Sequence, residues 1–380
     1  MGATLTTIDA ILKEKYLPTV REALTNGRVL LEKVQRNSEE YDGKKVVIAI
    51  NKSRNAGLGA AAENGTLPTA GNQGYVDATY TLKYVYGRME LTGQTMALSR
   101  TNVGAFAKAL EREMKGLTRD FKNDLNRIFN GDGGEVLATV TVAGTVTQVT
   151  VDSTRFLNPG DTIDINTDQV TITSVDSETQ FTIASTTVAV GEFVKRRIGA
   201  SIVDEPDGIA LAISDTGTIG SIARSGNFFW QAKNLAAGGV ARALTLPLMD
   251  QLNREIEKRK NDLPDNFYSK PELRDVYGAL LQADSRYVNT SSADGQKAKL
   301  SHKDVAFLTD FHAKDKTIFA PTWETQYVFE SGPISWMDDD GAVLSRVANK
   351  DAYEATLKYY CQYGTDNSRL NAVLSDVSES

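Results

Sequence analysis

Between Val103 and Ile128, apolar side chains recur at Val103, Phe106, Leu110, Met114, Leu117, Phe121, Leu125 and Ile128. Steps of three and four residues place them on one face of an α-helix. Thr101 and Asn102 precede the run as caps, and Gly131, Gly133 and Gly134 stop it. The spacing predicts a helix from Asn102 to Asn130, roughly 40 Å long at 1.5 Å per residue. Phe106, Leu110, Met114, Leu117, Phe121 and Leu125 form its core-facing stripe, and Lys115, Arg119 and Lys122 its opposite face.

On either side of this helix the period changes to two. Upstream, the β-type run Val46 to Ile50 is followed by a stretch dominated by Gly, Ala and Asn, with Gly57, Gly59, Gly65, Gly71 and Gly74. Tyr80, Leu82, Tyr84 and Tyr86 then alternate with Thr79, Thr81, Lys83 and Val85, as in a strand with two distinct faces. Two strands joined by so long a tip make an extended hairpin. It has too little core to be stable alone and should lie on another subunit. Downstream, 25 of the 59 residues from Val136 to Val194 are Thr or Val, and Arg155 is the only basic one. Short alternating runs there are divided by Ala143-Gly144, Asn158-Pro159-Gly160-Asp161 and Gly191, which predicts a small all-β module inserted after the helix.

The chain begins with apolar positions Ile8, Ile11, Leu12 and Tyr16, restarts after Pro18 at Val20, Leu24, Leu31 and Val34, and reads as an arm of two short helices. Beyond the β module, Gly238-Gly239 is a joint. Thr245 opens a helix carrying Leu248, Leu252 and Ile256, and Ser269 with Glu272 is a capping-box pattern before another carrying Leu273, Val276, Tyr277 and Leu280. Strand-like pieces follow at Ile318 to Ala320 and Thr325 to Phe329. A final alternating run goes from Ala355 to Tyr363. The expected class is α+β.

The charge balance, −7 overall, lacks the basic footprint of a nucleic-acid reader, although residues 1 to 60 carry ten basic against seven acidic side chains. Cys361 is the only cysteine, so no intrachain disulfide forms; its place in Leu357, Tyr359, Cys361, Tyr363 is that of a small buried residue. No apolar run is long enough to span a bilayer.

Four places carry the outline of chemistry. Gly57-Leu58-Gly59-Ala60-Ala61-Ala62 has the outline of a dinucleotide fingerprint, but a six-residue gap separates it from the strand and Asn64 to Pro68 breaks any helix behind it. His302 and His312, the only two histidines, have no partners at metal-ligand spacing and read as solvated loop or surface residues. Asp338-Asp339-Asp340-Gly341 lacks the alternation of a calcium loop and reads as a turn. Ser221 and Ser225 lie among glycines but outside a G-x-S-x-G elbow. No catalytic residue, cofactor or metal is expected.

The order of elements resembles that of the major capsid proteins of tailed bacteriophages with the Hong-Kong-97-type fold. The residues that carry the likeness are the hairpin Val46 to Gln94, the helix Asn102 to Asn130 with Gly131-Asp132-Gly133-Gly134, Asn227-Phe228-Phe229-Trp230, and Ser269-Lys270-Pro271-Glu272-Leu273-Arg274. Leu280 to Asn289, Asp351 to Leu357 and Arg369 to Leu374 continue it.

The resemblance implies an N-terminal arm (1–45), an extended loop (46–94), a peripheral domain with its spine helix (95–134), the β insert (135–198), more peripheral domain (199–239), an axial domain (240–340) and a C-terminal return (341–380). It implies a shell of pentamers and hexamers around double-stranded DNA, assembled in the host bacterial cytoplasm, with nonspecific DNA contact and no membrane. Portal and decoration proteins would be further partners. With no long helical segment before the arm, a scaffold is expected to be a separate protein. Inter-subunit contacts are expected at Lys52, Arg54, Tyr80, Tyr84, Tyr86 and Arg88. The covalent cross-link of the founding type is not carried over to Lys52, for which no partner Asn can be picked. The alternative within the fold is an encapsulin-like cellular nanocompartment, which would normally be shorter and lack the β insert.

Overall fold

The computed structural model describes residues 29–38, 45–94, 103–165, 168–198, 201–202, 204–284, 300–338 and 343–379. The expected arm helices before residue 29, the caps Thr101 and Asn102, the segment Ser285 to Asn289 and most of the Asp338–Gly341 turn lie outside the described residues, as do the side chains of Phe106 and Leu110.

One strand, Ala352–Thr365, organises the largest layer. Its alternation buries Ala355, Leu357, Tyr359, Cys361 and Tyr363 on one face, as the period-two run requires. Along one edge it pairs antiparallel with Lys83–Thr92, from Cys361↔Lys83 to Ala352↔Thr92. Along the other it pairs with Gln326–Glu330 and then with the short strands Ser335–Trp336 and Ser345–Arg346. Gln35–Asn37 adds a parallel edge strand to Gln326–Glu330, completing a six-stranded sheet.

The long helix runs from Val103 to Asn130 and ends where the glycines were expected to end it. Phe121, Leu125, Ile128 and Phe129 enter the core under the sheet, whereas Met114 and Leu117 are only half-buried. From Met114 onward the stripe is continuous in sequence but fully covered within the chain only over its last turns.

A second six-stranded sheet takes its strands from distant parts of the chain, in the order 233–235, 372–374, 318–320, 266–269, 305–309 and 301–302. Helices Leu246–Lys260 and Pro271–Asp284 supply Met249, Leu252, Ile256, Leu273 and Tyr277 to its core. Sheet membership crosses the expected boundaries of 240 and 340. Residues 326–330 and 335–336 belong to the first sheet, while 233–235 and 372–374 belong to the second. The Ser269–Glu272 capping box does not form as expected. Ser269 ends the strand Asn266–Ser269 and its hydroxyl donates to the Lys270 carbonyl, and the helix opens instead on Pro271, whose missing N–H costs nothing there.

Strands between Val136 and Ile202 form a seven-stranded antiparallel sheet with a separate hydrophobic core that includes Val149, Ile163, Ile172, Phe181, Ile183 and Val194. Most of its apolar positions alternate inward as the sequence pattern predicts, whereas Val142, Val190 and Phe193 are exposed.

Candidate assembly surfaces

The hairpin is built from Lys45–Ser53 and Gly74–Thr81, paired from Lys45↔Thr81 to Ser53↔Gly74. Residues 54–73 between them contain neither helix nor strand. Burial falls from root to tip. On the face that meets the body, Val46, Ala78 and Tyr80 are buried at the root and Ile48, Ile50 and Val76 are half-covered; Leu58, Leu67 and Tyr75 toward the tip are exposed, as is Val47 at the root on the other face.

The six residues expected to meet a neighbour separate into three groups. Lys52 and Arg54 stand exposed at the distal end of the hairpin. Tyr84, Tyr86 and Arg88 lie on Lys83–Thr92, which is a strand of the large sheet and not of the hairpin. The alternation that seemed to continue through Leu82 spans two strands with different partners. Tyr84 and Tyr86 both meet the ring of Tyr360 edge-on, at centroid distances of 5.0 and 6.0 Å, and remain half-exposed. A hydrogen bond with Tyr360, then burial, pushes the Tyr86 hydroxyl up to about 12. Arg88 pairs with Glu354 across the strands.

Tyr80 is a correction to the expected contact set, because it is 1% exposed and has no face left for a neighbour. Its hydroxyl donates to the Thr365 carbonyl at 2.6 Å and accepts from the Thr365 N–H at 3.1 Å. A Cβ on Gly364 would come within 2.7 Å of the ring, so glycine is needed where tyrosine and strand approach. Tyr80 roots the hairpin in its own subunit.

Between the distal half of the hairpin and the body lies an open cleft of about 730 Å³. Ile48, Ile50, Leu58, Phe229 and Trp230 give it apolar walls, and Lys52, Arg54, Asp366 and Arg369 are the charged residues that line it. Arg369 also stands 5.3 Å from the ring centre of the exposed Phe228.

Both histidines depart from the solvated reading. His302 Nε2 lies 2.8 Å from Asp250 Oδ1, and its Nδ1 lies 3.0 Å from the Tyr277 hydroxyl. This cluster ties the two helices of the second layer to strand Ser301–His302. His312 is stacked on Phe156 of the β module and lies beside the buried Asp310. Arg155, also of the module, bonds Asp315 at 3.1 Å, which fixes the module to the same turn. Apart from Asp310, two residues from His312, these partners lie more than 20 residues away along the chain, which is why the sequence does not show them. Among the described residues no helix is long and apolar enough to cross a membrane.

No protein-family model matches the sequence, and no curated protein matches it. Solved structures match it along its whole length. The capsid asymmetric unit of cyanophage A-1(L) is similar at a TM-score of 0.64 and 12% identity, with 99% of each chain covered. The structure titled Mycobacterium phage Bobi matches at 0.53 and 10%, with 100% of each covered. The holo-SrpI encapsulin complex from Synechococcus elongatus PCC 7942 matches at 0.51 and 9%, covering 100% of this chain and 98% of the other. The chain has the Hong-Kong-97-type capsid fold.

Proposed function

We propose that this chain is the major capsid protein of a tailed bacteriophage, which assembles with copies of itself into pentamers and hexamers of an icosahedral head around double-stranded DNA. The observation that carries the reading is correspondence of fold over 99% of both this chain and the cyanophage capsid chain. The projecting hairpin, with apolar side chains its own subunit leaves uncovered, supports it. In this reading the hairpin lies across a neighbouring subunit, residues 240 to 340 gather around the capsomer axis, and the chain acts by packing and not by catalysis. The β module is an inserted domain. Assembly takes place in the host cytoplasm, portal, scaffolding and decoration proteins complete the head, and contact with packaged DNA is nonspecific.

The test is electron microscopy of the purified full-length chain, where closed shells are expected and a permanently monomeric, active enzyme would overturn the reading. The encapsulin match over the whole chain gives a second reading, a cellular compartment holding protein cargo. Dye staining of particles from infected cells separates the two, since a phage head contains double-stranded DNA and a compartment does not.

A further inference from the structure

Asn-Gly occurs three times in the chain, at Asn26-Gly27, Asn64-Gly65 and Asn130-Gly131. In this dipeptide the asparagine amide is most open to attack by the next backbone nitrogen, because glycine has no side chain to shield that nitrogen. Asn26-Gly27 lies outside the described residues, and the other two are held in opposite ways.

Asn130 is 3% exposed. Its Nδ2 donates to the Asn126 carbonyl at 2.8 Å, its Oδ1 accepts from the Tyr268 hydroxyl at 2.6 Å, and the Gly131 N–H donates to the Ile128 carbonyl at 2.9 Å. Both reacting groups are tied down at the end of the long helix. Asn64 instead is exposed within residues 54–73, which contain neither helix nor strand, and its side chain makes no hydrogen bond among the described residues. It is the third residue of a turn closed by the Gly65 N–H on the Ala62 carbonyl at 2.8 Å, and its φ is 64°. Asparagine takes this left-handed conformation more readily than other residues with a side chain, which accounts for its presence there. One exposed turn bond has to open before the Gly65 nitrogen can react, an event at the low end of local opening costs.

We propose that Asn64 is a site of spontaneous deamidation, and that conversion there marks chains left unassembled and bars them from shells. The Gly65 nitrogen gives up its proton and bonds to Asn64 Cγ, the side-chain nitrogen leaves as ammonia, and a cyclic imide closes. Water then opens the imide at one of its two carbonyl carbons. Opening at Cγ leaves aspartate, and opening at the main-chain carbon leaves isoaspartate, whose backbone runs one carbon longer. Either product puts a carboxylate beside Glu63. The hairpin, residues 45–81, carries Lys45, Lys52 and Arg54 against Glu63 and Asp77, so conversion takes its net charge from +1 to zero. Exclusion from shells rests on the reading of this tip as a surface laid on a neighbouring subunit, where a new charge and a lengthened backbone disturb the fit.

The test follows conversion by peptide mass spectrometry in the full-length, unassembled chain at mildly alkaline pH, folded or unfolded in urea. Unfolded, Asn64 and Asn130 should convert at similar rates. Folded, Asn64 should convert within several-fold of its unfolded rate while Asn130 stays intact. Gly65→Ala should slow the reaction several-fold, and Asn64→Gly, which keeps the positive φ, should gain no charge at the tip. A folded chain in which Asn64 is as inert as Asn130 would overturn the site. A partly converted pool is then put into assembly, and shells should be depleted in converted peptide relative to the chains left free. Equal fractions in both would overturn the exclusion and leave the site standing. A fresh, unconverted pool that never forms shells would overturn the capsid reading and the exclusion with it, while the peptide measurement still decides the site.

Discussion

Asn126 joins three segments at one buried point: its Nδ2 donates to Asp310 Oδ2 at 2.9 Å, while its Oδ1 accepts from the Leu31 N–H at 3.2 Å. Asp310 also accepts from the Leu30 N–H at 3.4 Å and from the His312 N–H at 2.9 Å. The start of the described N-terminal segment, the long helix and the 310–312 turn are thus fixed to one another by a single carboxylate. Asn126→Ala should leave the Leu31 N–H without its partner and take a donor from a buried anion. A loss of about 1–3 kcal/mol is expected, measured by urea denaturation of the unassembled chain.

The same carboxylate sets an acid limit. Burial alone would raise its carboxyl, but hydrogen bonds from His312 and Asn126 outweigh this and hold it below the usual carboxylate range. A depressed folded value means stability that is present above the unfolded value, near pH 4, and lost as pH falls through the folded one. Asp310→Asn should be less stable than wild type at pH 7 and converge with it in strong acid. Melting temperatures from pH 2.5 to 7 check this, and parallel curves would remove the assignment.

The hairpin tip makes a prediction about assembly and not about folding. Its roots, Val46, Ala78 and Tyr80, are buried in the subunit, whereas residues 56–73 contribute nothing to the core. Replacing Ala56 to Gln73 by a short turn should leave the melting temperature nearly unchanged and abolish stable closed shells. Normal particles from this variant would end the proposed role of the arm.

How much of this was legible depends on how far apart the interacting residues are. The long helix, the strand Ala352–Thr365 and the alternating β module follow from periods of 3.6 and 2 that each segment carries by itself. The hairpin was legible at its first strand and tip. Its second strand was misplaced because Gly74–Thr81 and Lys83–Thr92 share one unbroken alternation, and only their partners, Lys45–Ser53 and Ala352–Thr365, distinguish them. Arg224 gave no signal at all. It is fully buried without a carboxylate, donating to the carbonyls of Trp230, Thr216 and Ala212 and to the Ser368 hydroxyl. Burial lowers its guanidinium to about 10. Such a site is made by chain crossings that no local pattern encodes. The same holds for Tyr80, whose partner Thr365 is 285 residues away.

The β module should fold on its own. Its core residues, from Leu137 to Val194, form a cluster separate from the other two, and its ties to the body include polar and aromatic contacts at Arg155, Phe156 and Arg196. Expressed alone, residues 135 to 198 should show a β-type circular dichroism spectrum and a cooperative melt. A disordered fragment would mean that the sheet depends on the helix it returns to.

Phe121 tests the central helix. A helix with one apolar face draws most of its stability from covering that face and not from intrinsic propensity. Phe121 is 6% exposed and packs against the strand Lys83–Thr92, within reach of Gly87. It lies more than two turns from the helix end at Asn130, so fraying cannot absorb its loss. Phe121→Ala should cost about 3–5 kcal/mol, a large share of the stability of an ordinary domain. Met114, on the same stripe but half-buried, should matter far less to the isolated subunit, and its substitution should act on assembly if a neighbour covers that end. Lys122 borders Leu31, Val34 and Arg36 without entering the core, and Lys122→Ala should stay within about 0.5 kcal/mol. Soluble yield gives the decision. Phe121→Ala is expected in inclusion bodies, and Met114→Ala and Lys122→Ala in the soluble fraction. Equal, high yields of all three would mean that the stripe is not a core face.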